Sequence, residues 1–278
     1  MSLVSVAQWF PGHMAKAIRL IEDNLKAVDF VIECRDARAP ISTRNPLLAK
    51  TFQNKKRLIL LTKKDLASLE RTSQIMKTLE DEGHVVLLVD VHKDNIKRLV
   101  LEKTAEIMKE KHDRDKRRGI RSRASRAMIV GVPNVGKSTV INRLASRKAV
   151  RAENRPGVTQ SLTLVKVSEA LEIVDTPGLL WPKFETESMG IINALVGSIK
   201  ETGFSLEVIS DTARDYLIEH NPNSLQTRYS ITTFDSFYES VGKSMGWLVS
   251  GGEVDDVFVR RMFLKDVQNG TLGMITWD

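Results

Sequence analysis

Short apolar runs alternate with amphipathic segments along the first two thirds of the chain. The apolar runs predict strands at Phe30–Glu33, Leu58–Thr62, Val85–Val89, Ala127–Gly131, Ser161–Val167 and Leu171–Asp175. The segments between them predict helices at Met14–Val28, Ser68–Glu82, Ile96–Met108 and Lys137–Ser146. Because strands that alternate with helices favour parallel pairing, the pattern predicts an α/β fold with a doubly wound, mostly parallel six-stranded sheet.

From about residue 185 onward the pattern is helical throughout. Helices are predicted at Met189–Glu201, Leu206–His220, Phe234–Met245 and Val254–Asn269, separated by Gly203, Asn221-Pro222 and Gly251-Gly252. We therefore expect two domains, an α/β domain over residues 1–184 and an all-α domain over residues 185–278.

Composition excludes several classes of protein. The chain has 278 residues, of which 42% are hydrophobic, which is enough for an α/β domain and a smaller second domain. No apolar run approaches the roughly 18 residues of a membrane span, and the first residues lack the pattern of a signal peptide. A single cysteine, Cys34, cannot form an internal disulfide. We expect a cytoplasmic protein with no membrane partner.

A phosphate-binding signature, Gly131-x4-Gly136-Lys137-Ser138, lies between a predicted strand and a predicted helix. In such a loop, backbone N–H groups surround the α- and β-phosphates, the lysine reaches the β- and γ-phosphate oxygens, and the serine hydroxyl coordinates Mg²⁺. The alternative is an ordinary glycine-rich turn, which the flanking strand and helix disfavour. The predicted nucleotide contacts here are Pro133, Asn134, Val135, Gly136, Lys137, Ser138 and Thr139.

A second motif, Asp175-Thr176-Pro177-Gly178, follows the last predicted strand. Its carboxylate would meet Mg²⁺, usually through water, and the Gly178 amide would reach a γ-phosphate. Thr159 lies where a switch threonine closes on the same ion. The predicted magnesium ligands are therefore Ser138, Thr159 and Asp175, although Thr-Pro-Gly is also a common turn.

The base of the nucleotide is predicted from Thr62-Lys63-Lys64-Asp65, directly after a strand. The carboxylate of Asp65 can accept guanine N1–H and the exocyclic amine, a pair that adenine lacks, and the stem of Lys63 can cover the ring. The usual pattern is Asn-Lys-x-Asp, so Thr62 predicts weaker nucleotide affinity. The next loop, with Asp90 and Val91, also departs from the usual sequence, and a backbone amide there would contact the guanine oxygen.

The order of these motifs is rotated, because the base-reading segment precedes the phosphate loop in the chain. This order predicts a circularly permuted P-loop GTPase that binds GTP and GDP, with the basic segment 109–126 as the linker that joins the permuted halves. That segment, with Arg117, Arg118 and Arg121, is also expected to attract the phosphates of RNA. A solvated linker is the simpler alternative, and the two readings are compatible.

Two further segments, Gln8–Ala17 (QWFPGHMAKA) and Asp36–Pro40 (DARAP), resemble the signatures of the bacterial ribosome biogenesis GTPase A family. The resemblance spans nearly the whole chain. It implies a GTP-hydrolysing switch that assists late assembly of the large ribosomal subunit, with a helical domain that contacts ribosomal RNA. Asp36 and Arg38 belong to the second of these signatures. The alternative for this pair is a local ion pair that anchors the loop after the strand.

Many GTPases use a glutamine after the Asp-Thr-Pro-Gly motif to orient the attacking water, but this chain has Leu179 at that position. Another group must therefore assist hydrolysis. One candidate is His13, with a helix-capping histidine as the alternative. Another is a potassium ion, because Asn134 lies in a pattern that resembles potassium-dependent GTPases, with a simple turn residue as the alternative. Lys137 and Thr159 complete the predicted catalytic residues.

The net charge of the chain is +7, but residues 179–278 hold more Asp and Glu than Lys and Arg. The helical domain is therefore expected to bind RNA only through a local patch of Arg260, Arg261 and Lys265. Two other functions stay open. One is a GTP-gated RNA-binding module whose hydrolysis is incidental, and the other is an ATP-using enzyme, which follows only if Asp65 does not contact the base.

Overall fold

The computed structural model describes residues 12–46, 51–52, 54–120, 123–145, 163–176, 178, 184–199 and 204–278, with side chains from residue 18 onward. Within these ranges the chain forms six strands: β1 (Phe30–Asp36), β2 (Lys56–Thr62), β3 (Val85–Leu88), β4 (Ser125–Val130), β5 (Thr163–Lys166) and β6 (Leu171–Asp175). They form one sheet in the order β3-β2-β1-β4-β6-β5. Only β5 runs antiparallel, since a short turn connects it to β6. The predicted six-stranded, mostly parallel α/β sheet is confirmed.

Helices cover both faces of the sheet because successive strand residues point to opposite sides. The helices of this part are α1 (Gly12–Asn24), α2 (Leu69–Asp81), α3 (Ile96–Arg117) and α4 (Lys137–Leu144). Phe30 and Ile32 of β1 pack with α3 and α4 on one face. Val31, between them, packs with α1 on the other face, where α2 covers the neighbouring strands. Both faces of the central strands are therefore buried, as the continuous apolar runs predict.

Helix α3 is longer than its apolar periodicity predicts, since it continues to Arg117 rather than ending near Met108. Its last turns carry mainly charged residues, which have good helix propensity but give no apolar repeat where they face solvent. Lys111 of this extension forms an ion pair with Asp29 at 2.5 Å, and Arg123 pairs with the same carboxylate at 3.0 Å. The first half of the basic segment 109–126 is therefore helical, and Asp29 fixes its return to β4.

The described residues from 184 onward are mainly helical and form their own apolar cluster. Its helices are α5 (Glu187–Leu195), α6 (Leu206–His220), α7 (Pro222–Tyr229), α8 (Phe237–Met245) and α9 (Asp256–Gln268). The sequence pattern does not predict α7, which begins at Pro222 directly after α6. Proline is favoured in the first turn of a helix, so Pro222 marks both a break and a new start. None of the described helices is long and apolar enough to cross a membrane.

Candidate nucleotide site

The phosphate loop lies where the carboxyl end of β4 meets the amino end of α4. Gly131 adopts φ +152°, and a Cβ at this position would lie 2.5 Å from the Cys34 carbonyl oxygen of β1. Gly136, at the start of α4, adopts φ +95°. The loop therefore needs both glycines, the first because of close backbone approach and the second because of its left-handed conformation.

Lys137 and Gly178 lie side by side at this loop. The Lys137 side chain is 8% exposed, and its ammonium group lies 3.3 Å from the Gly131 carbonyl oxygen. Burial lowers the pKa of Lys137. A Cβ on Gly178 would lie 3.1 Å from that ammonium nitrogen and from Pro133 Cα. The structure thus brings Gly178 of the Asp-Thr-Pro-Gly motif against the phosphate loop.

Asp175 ends β6 at the same edge of the sheet and is 1% exposed. Burial raises the pKa of its carboxyl group to about 6, although Lys137 and the Thr176 amide are near enough to lower it in part. Neither carboxylate oxygen accepts a well-formed hydrogen bond from any residue that the structure describes. A buried carboxylate with two unsatisfied oxygens fits a site for a hard cation such as Mg²⁺ or for its bound water.

The base-reading segment forms a tight turn after β2. Lys63 adopts a left-handed conformation with φ 58°, and Lys64–Leu66 form a single 3₁₀ turn. The carboxylate of Asp65 is on this turn and is exposed to solvent. The backbone N–H of Lys64 donates to the Val89 carbonyl oxygen at 3.3 Å, which joins the turn to the loop after β3. Asp65 is therefore free to reach a ligand from a fixed backbone.

Thr62, which stands where the usual motif has asparagine, contacts the phosphate loop directly. Its side chain is buried, and its hydroxyl donates to the Val135 carbonyl oxygen of the phosphate loop at 2.5 Å, with the Arg35 carbonyl oxygen 3.2 Å away. A hydroxyl has one proton, so the shorter contact is the main hydrogen bond. Thr62 thus ties the base-reading strand to the phosphate loop.

The loop after β3 is held by the side chain of its own residue Asp90 and by Arg143 of α4. Burial alone would raise the pKa of the Asp90 carboxyl group. Hydrogen bonds from the backbone N–H groups of His92 and Lys93 outweigh the effect of burial, so the pKa is lowered. Arg143 of α4 donates to the carbonyl oxygens of Val91 at 3.0 Å and His92 at 2.6 Å. The carboxylate of Asp90 is engaged within its own turn, which leaves backbone atoms of this loop for a base contact.

Asp36 and Arg38, just after β1, form a buried ion pair with partners in three parts of the chain. Arg38 donates to both Asp36 oxygens, at 3.0 and 2.8 Å, and Lys63 pairs with Asp36 at 2.8 Å. Arg38 also donates to the carbonyl oxygens of Val196, at 2.8 Å, and Gln268, at 2.9 Å. Burial would raise the pKa of Asp36, but the two cations hold it well below its usual range. The pair is therefore local, as one alternative expects, and also joins Lys63 to the helical part.

Asn134 makes a second contact between the site and the helical part. The residue has φ 58°, and its side-chain N–H donates to the Gly197 carbonyl oxygen at 2.9 Å. Gly197 follows Val196, which accepts from Arg38. The turn after α5 is thus held by the phosphate loop and by the Asp36–Arg38 pair, contacts that no sequence motif indicates.

The other predicted residues are placed as follows. His13 lies in the first turn of α1, but its side chain is not among those that the structure describes. Thr159 and Arg121 lie outside the described residues altogether. Ser138 and Thr139 lie in the first turn of α4, and Arg117 and Arg118 are exposed at the end of α3. Arg261 and Lys265 are exposed on α9.

Arg260 differs from its predicted neighbours. Its guanidinium pairs with Asp211 at 2.8 Å and with Asp256 at 2.7 Å, and its central carbon lies 3.8 Å from the centre of the Tyr238 ring. These contacts occupy the side chain within the helical part. Of the predicted basic patch, only Arg261 and Lys265 present exposed charge.

Motif order and sheet topology together define the class of this protein, a circularly permuted GTPase. A family model described as a 50S ribosome-binding GTPase matches residues 126–233. The chain is 40% identical to Ribosome biogenesis GTPase A of Priestia megaterium over 98% of this chain and 96% of the relative. The chain therefore belongs to the ribosome biogenesis GTPase A family.

More distant relatives and solved structures agree with this assignment. Mitochondrial ribosome-associated GTPase 1 of Mus musculus is 33% identical over 98% of this chain and 90% of that protein. The GDP-bound structure of TM YlqF superposes with a TM-score of 0.68 at 26% identity, covering 93% of this chain and 97% of the other. GNP-bound YlqF from T. maritima gives a TM-score of 0.67 at 28% identity, covering 95% and 97%. The chain is thus a GTP-hydrolysing enzyme of this family.

Proposed function

We propose that this GTPase is a Mg²⁺-dependent switch that assists late assembly of the large ribosomal subunit in the cytoplasm. The observation that supports the proposal most is the convergence of Lys137, Asp175 and Gly178 at one edge of the sheet, beside the contacts of Arg38 and Asn134 to the helical part. In this proposal residues 1–184 form the GTPase domain, and residues 185–278 form the domain that contacts the ribosome.

The proposed chemistry follows from the residues at the phosphate loop. Backbone N–H groups of residues 134–139, next to Pro133, and the ammonium of Lys137 hold the phosphates. Ser138, Asp175 and Thr159 are the proposed ligands of Mg²⁺, which would neutralise charge on the β- and γ-phosphates when bound. The carboxylate of Asp65 reads guanine, with Lys63, Lys64 and the Asp90–Val91 backbone beside the base.

Two groups are proposed to assist the attacking water, because Leu179 has no polar atom for that purpose. His13 would orient the water. The oxygen of the Asn134 side chain would hold K⁺, since its nitrogen is engaged with Gly197. Exchange of Na⁺ for K⁺ is then expected to raise turnover, and His13→Ala is expected to lower turnover with little change in GTP affinity. Equal turnover in the two salts would reject the potassium site.

The proposed partner is the ribosomal RNA of the large subunit. The names of the relatives support it, as do the exposed cations Arg117 and Arg118 of α3 and Arg261 and Lys265 of α9, with Arg121 in the same basic segment. Contacts to RNA phosphates release counterions, so binding is expected to weaken steeply as salt rises.

Co-sedimentation with purified large subunits tests the proposal. We expect binding with a non-hydrolysable GTP analogue to be markedly tighter than with GDP, and single-turnover hydrolysis to be faster with subunits than without them. Reversal of charge at Arg117 and Arg118 is expected to weaken binding. Arg98→Ala, which removes an exposed arginine of the same helix that is already paired with Glu102, serves as the control.

Equal co-sedimentation with both nucleotides would reject the switch. Nucleotide-dependent binding without any stimulation of hydrolysis would instead favour an RNA-binding module whose hydrolysis is incidental.

A further inference from the structure

The segment Leu272–Asp278, which we name the strap, leaves α9 and returns to the base-reading edge of the sheet. The backbone N–H of Ile275 donates to the Leu66 carbonyl oxygen at 3.0 Å, and that of Trp277 donates to the Arg38 carbonyl oxygen at 2.7 Å. Leu66 is the residue directly after Asp65. Just before the strap, Gly270 has φ +74°, and a Cβ there would lie 2.7 Å from the Leu66 side chain. The strap is therefore in close contact with the turn that carries Asp65.

Side chains of the strap bind the segments on both sides of this turn. Thr276 is 1% exposed, and its hydroxyl lies 2.9 Å from the hydroxyl of Thr72 in α2. The Asp278 carboxylate accepts hydrogen bonds from the Ser42 N–H at 3.0 Å and the Ser42 hydroxyl at 2.5 Å. Arg71 of α2 donates to the Asp278 backbone oxygen. The strap thus joins α2 to the loop after β1.

The opposite side of the strap packs against the helical part. The rings of Trp277 and Tyr216 of α6 have centroids 4.9 Å apart, and the Tyr216 hydroxyl donates to the Thr276 carbonyl oxygen at 3.2 Å. Leu272, Ile275 and Trp277 are buried in the same apolar cluster as the helices. A displacement of the helices would therefore move the strap.

Asp65 itself is exposed, so its position depends on the backbone of its neighbours. On one side, the Lys64 N–H donates to Val89, and on the other, Leu66 accepts from Ile275 of the strap. A carboxylate that accepts two guanine donors must be held in both distance and angle, which a turn fixed at only one end does not achieve.

We propose that the strap is a positioning element for guanine recognition: by holding Leu66 it sets the carboxylate of Asp65, and it makes nucleotide affinity depend on the docking of the helical part. This inference rests on the proposed reading of guanine by Asp65. By linkage, a bound guanine nucleotide stabilises the docked strap by the same factor. The strap acts through Asp65 and does not touch the nucleotide.

A matched pair of variants at one position tests the proposal. Ile275→Ala and Ile275→Pro both shorten the side chain, but only the proline removes the N–H that donates to Leu66. Affinities for GDP and inosine diphosphate, which lacks the exocyclic amine, are measured by calorimetry on the full chain. We expect Ile275→Pro to weaken GDP about tenfold more than Ile275→Ala does, as a 1.4 kcal/mol loss implies, and to reduce the preference for GDP over inosine diphosphate.

A role in folding alone would lower the melting temperature of both variants without changing this preference. An unchanged ratio of the two affinities in folded Ile275→Pro would overturn the proposal. If that variant does not fold, Thr276→Val decides, with Met274→Ala as the exposed control: we expect about a fivefold loss of GDP affinity only in the former, and equal affinities would refute the positioning role. A wild-type chain with equal affinity for GDP and ADP would instead refute guanine reading itself.

Discussion

Asp175 supplies the most direct physical test of the site, because its carboxylate is buried and accepts no well-formed hydrogen bond from the described residues. The expected cost is large, since burial raises the pKa of this carboxyl group from an ordinary value of 3.8 to about 6. At 1.36 kcal/mol for each pKa unit, the ionised side chain destabilises the nucleotide-free fold by about 3 kcal/mol at pH 7.5. We expect Asp175→Asn to recover most of that free energy of unfolding while it weakens Mg²⁺-dependent GTP binding and hydrolysis.

The sign of the pH dependence follows from the raised pKa. The stability that the neutral carboxyl group contributes is fully present below the unfolded pKa of 3.8 and is lost as pH rises through the folded pKa near 6. The advantage of Asp175→Asn over the wild type should therefore fall to about half at pH 5, by the same conversion. Mg²⁺ competes with the proton, so metal-supported binding in the wild type should also weaken below about pH 6.

Urea unfolding with EDTA and without nucleotide, at pH 7.5 and pH 5, measures these differences. Asp29→Asn is the matched control, because Lys111 and Arg123 outweigh burial and lower the pKa of Asp29, so the same chemical change there should destabilise the fold. An Asp175→Asn protein that is no more stable than the wild type, or whose advantage does not change between the two pH values, would refute this account of the buried carboxylate.

Three other substitutions probe contacts around the site. Arg38→Met should lower the free energy of unfolding by about 3 kcal/mol or more, because it leaves the buried Asp36 with only Lys63 as a cation partner among the described residues and two carbonyl groups without their charged donor. Urea unfolding would contradict this with a change below 1 kcal/mol, about that of a single neutral hydrogen bond. Thr62→Val should reduce GDP affinity by about fivefold through loss of the hydrogen bond to Val135, whereas Thr62→Ser should not, and calorimetry showing equal losses would be against it. Gly131→Ala should abolish nucleotide binding, because the added Cβ would clash with the β1 backbone. Gly83→Ala is the control, since Gly83 also has a positive φ but has open space around it. Nucleotide binding retained in Gly131→Ala would count against the close approach.

The sheet was predictable because its strands are continuous apolar runs, a pattern that depends only on neighbouring residues. The positions of the loop at Gly131–Gly136 and of the turn at Lys63–Leu66, each directly after a strand, were predictable for a similar reason, since each motif is local, and their contacts to a nucleotide stay predictions. The partners of Arg38 were not, because they are backbone carbonyls of Val196 and Gln268 and carry no residue signature. The same holds for Thr62, whose acceptor is also a carbonyl.

Charged residues on helices were harder to predict from sequence than the apolar core. The end of α3 lacks the apolar repeat that marks a helix, so its length exceeded the expectation. Arg260 is basic in sequence, yet its charge is offset by Asp211, an acidic residue of a different helix. Charge patterns along a chain do not reveal such pairs, because the partners meet only after the helices pack.

The distances along the chain between Arg38 and its acceptors have a consequence for how the molecule folds. Val196 lies 158 residues and Gln268 lies 230 residues after Arg38. During synthesis the first two strands can pair early, but the buried guanidinium stays without its carbonyl partners until nearly all of the helical part has been translated. Contacts of such high sequence separation slow folding, because the chain must close long loops before they form. The nucleotide loops should therefore reach their final arrangement in the last step of folding, and refolding from denaturant should recover nucleotide binding later than it recovers secondary structure.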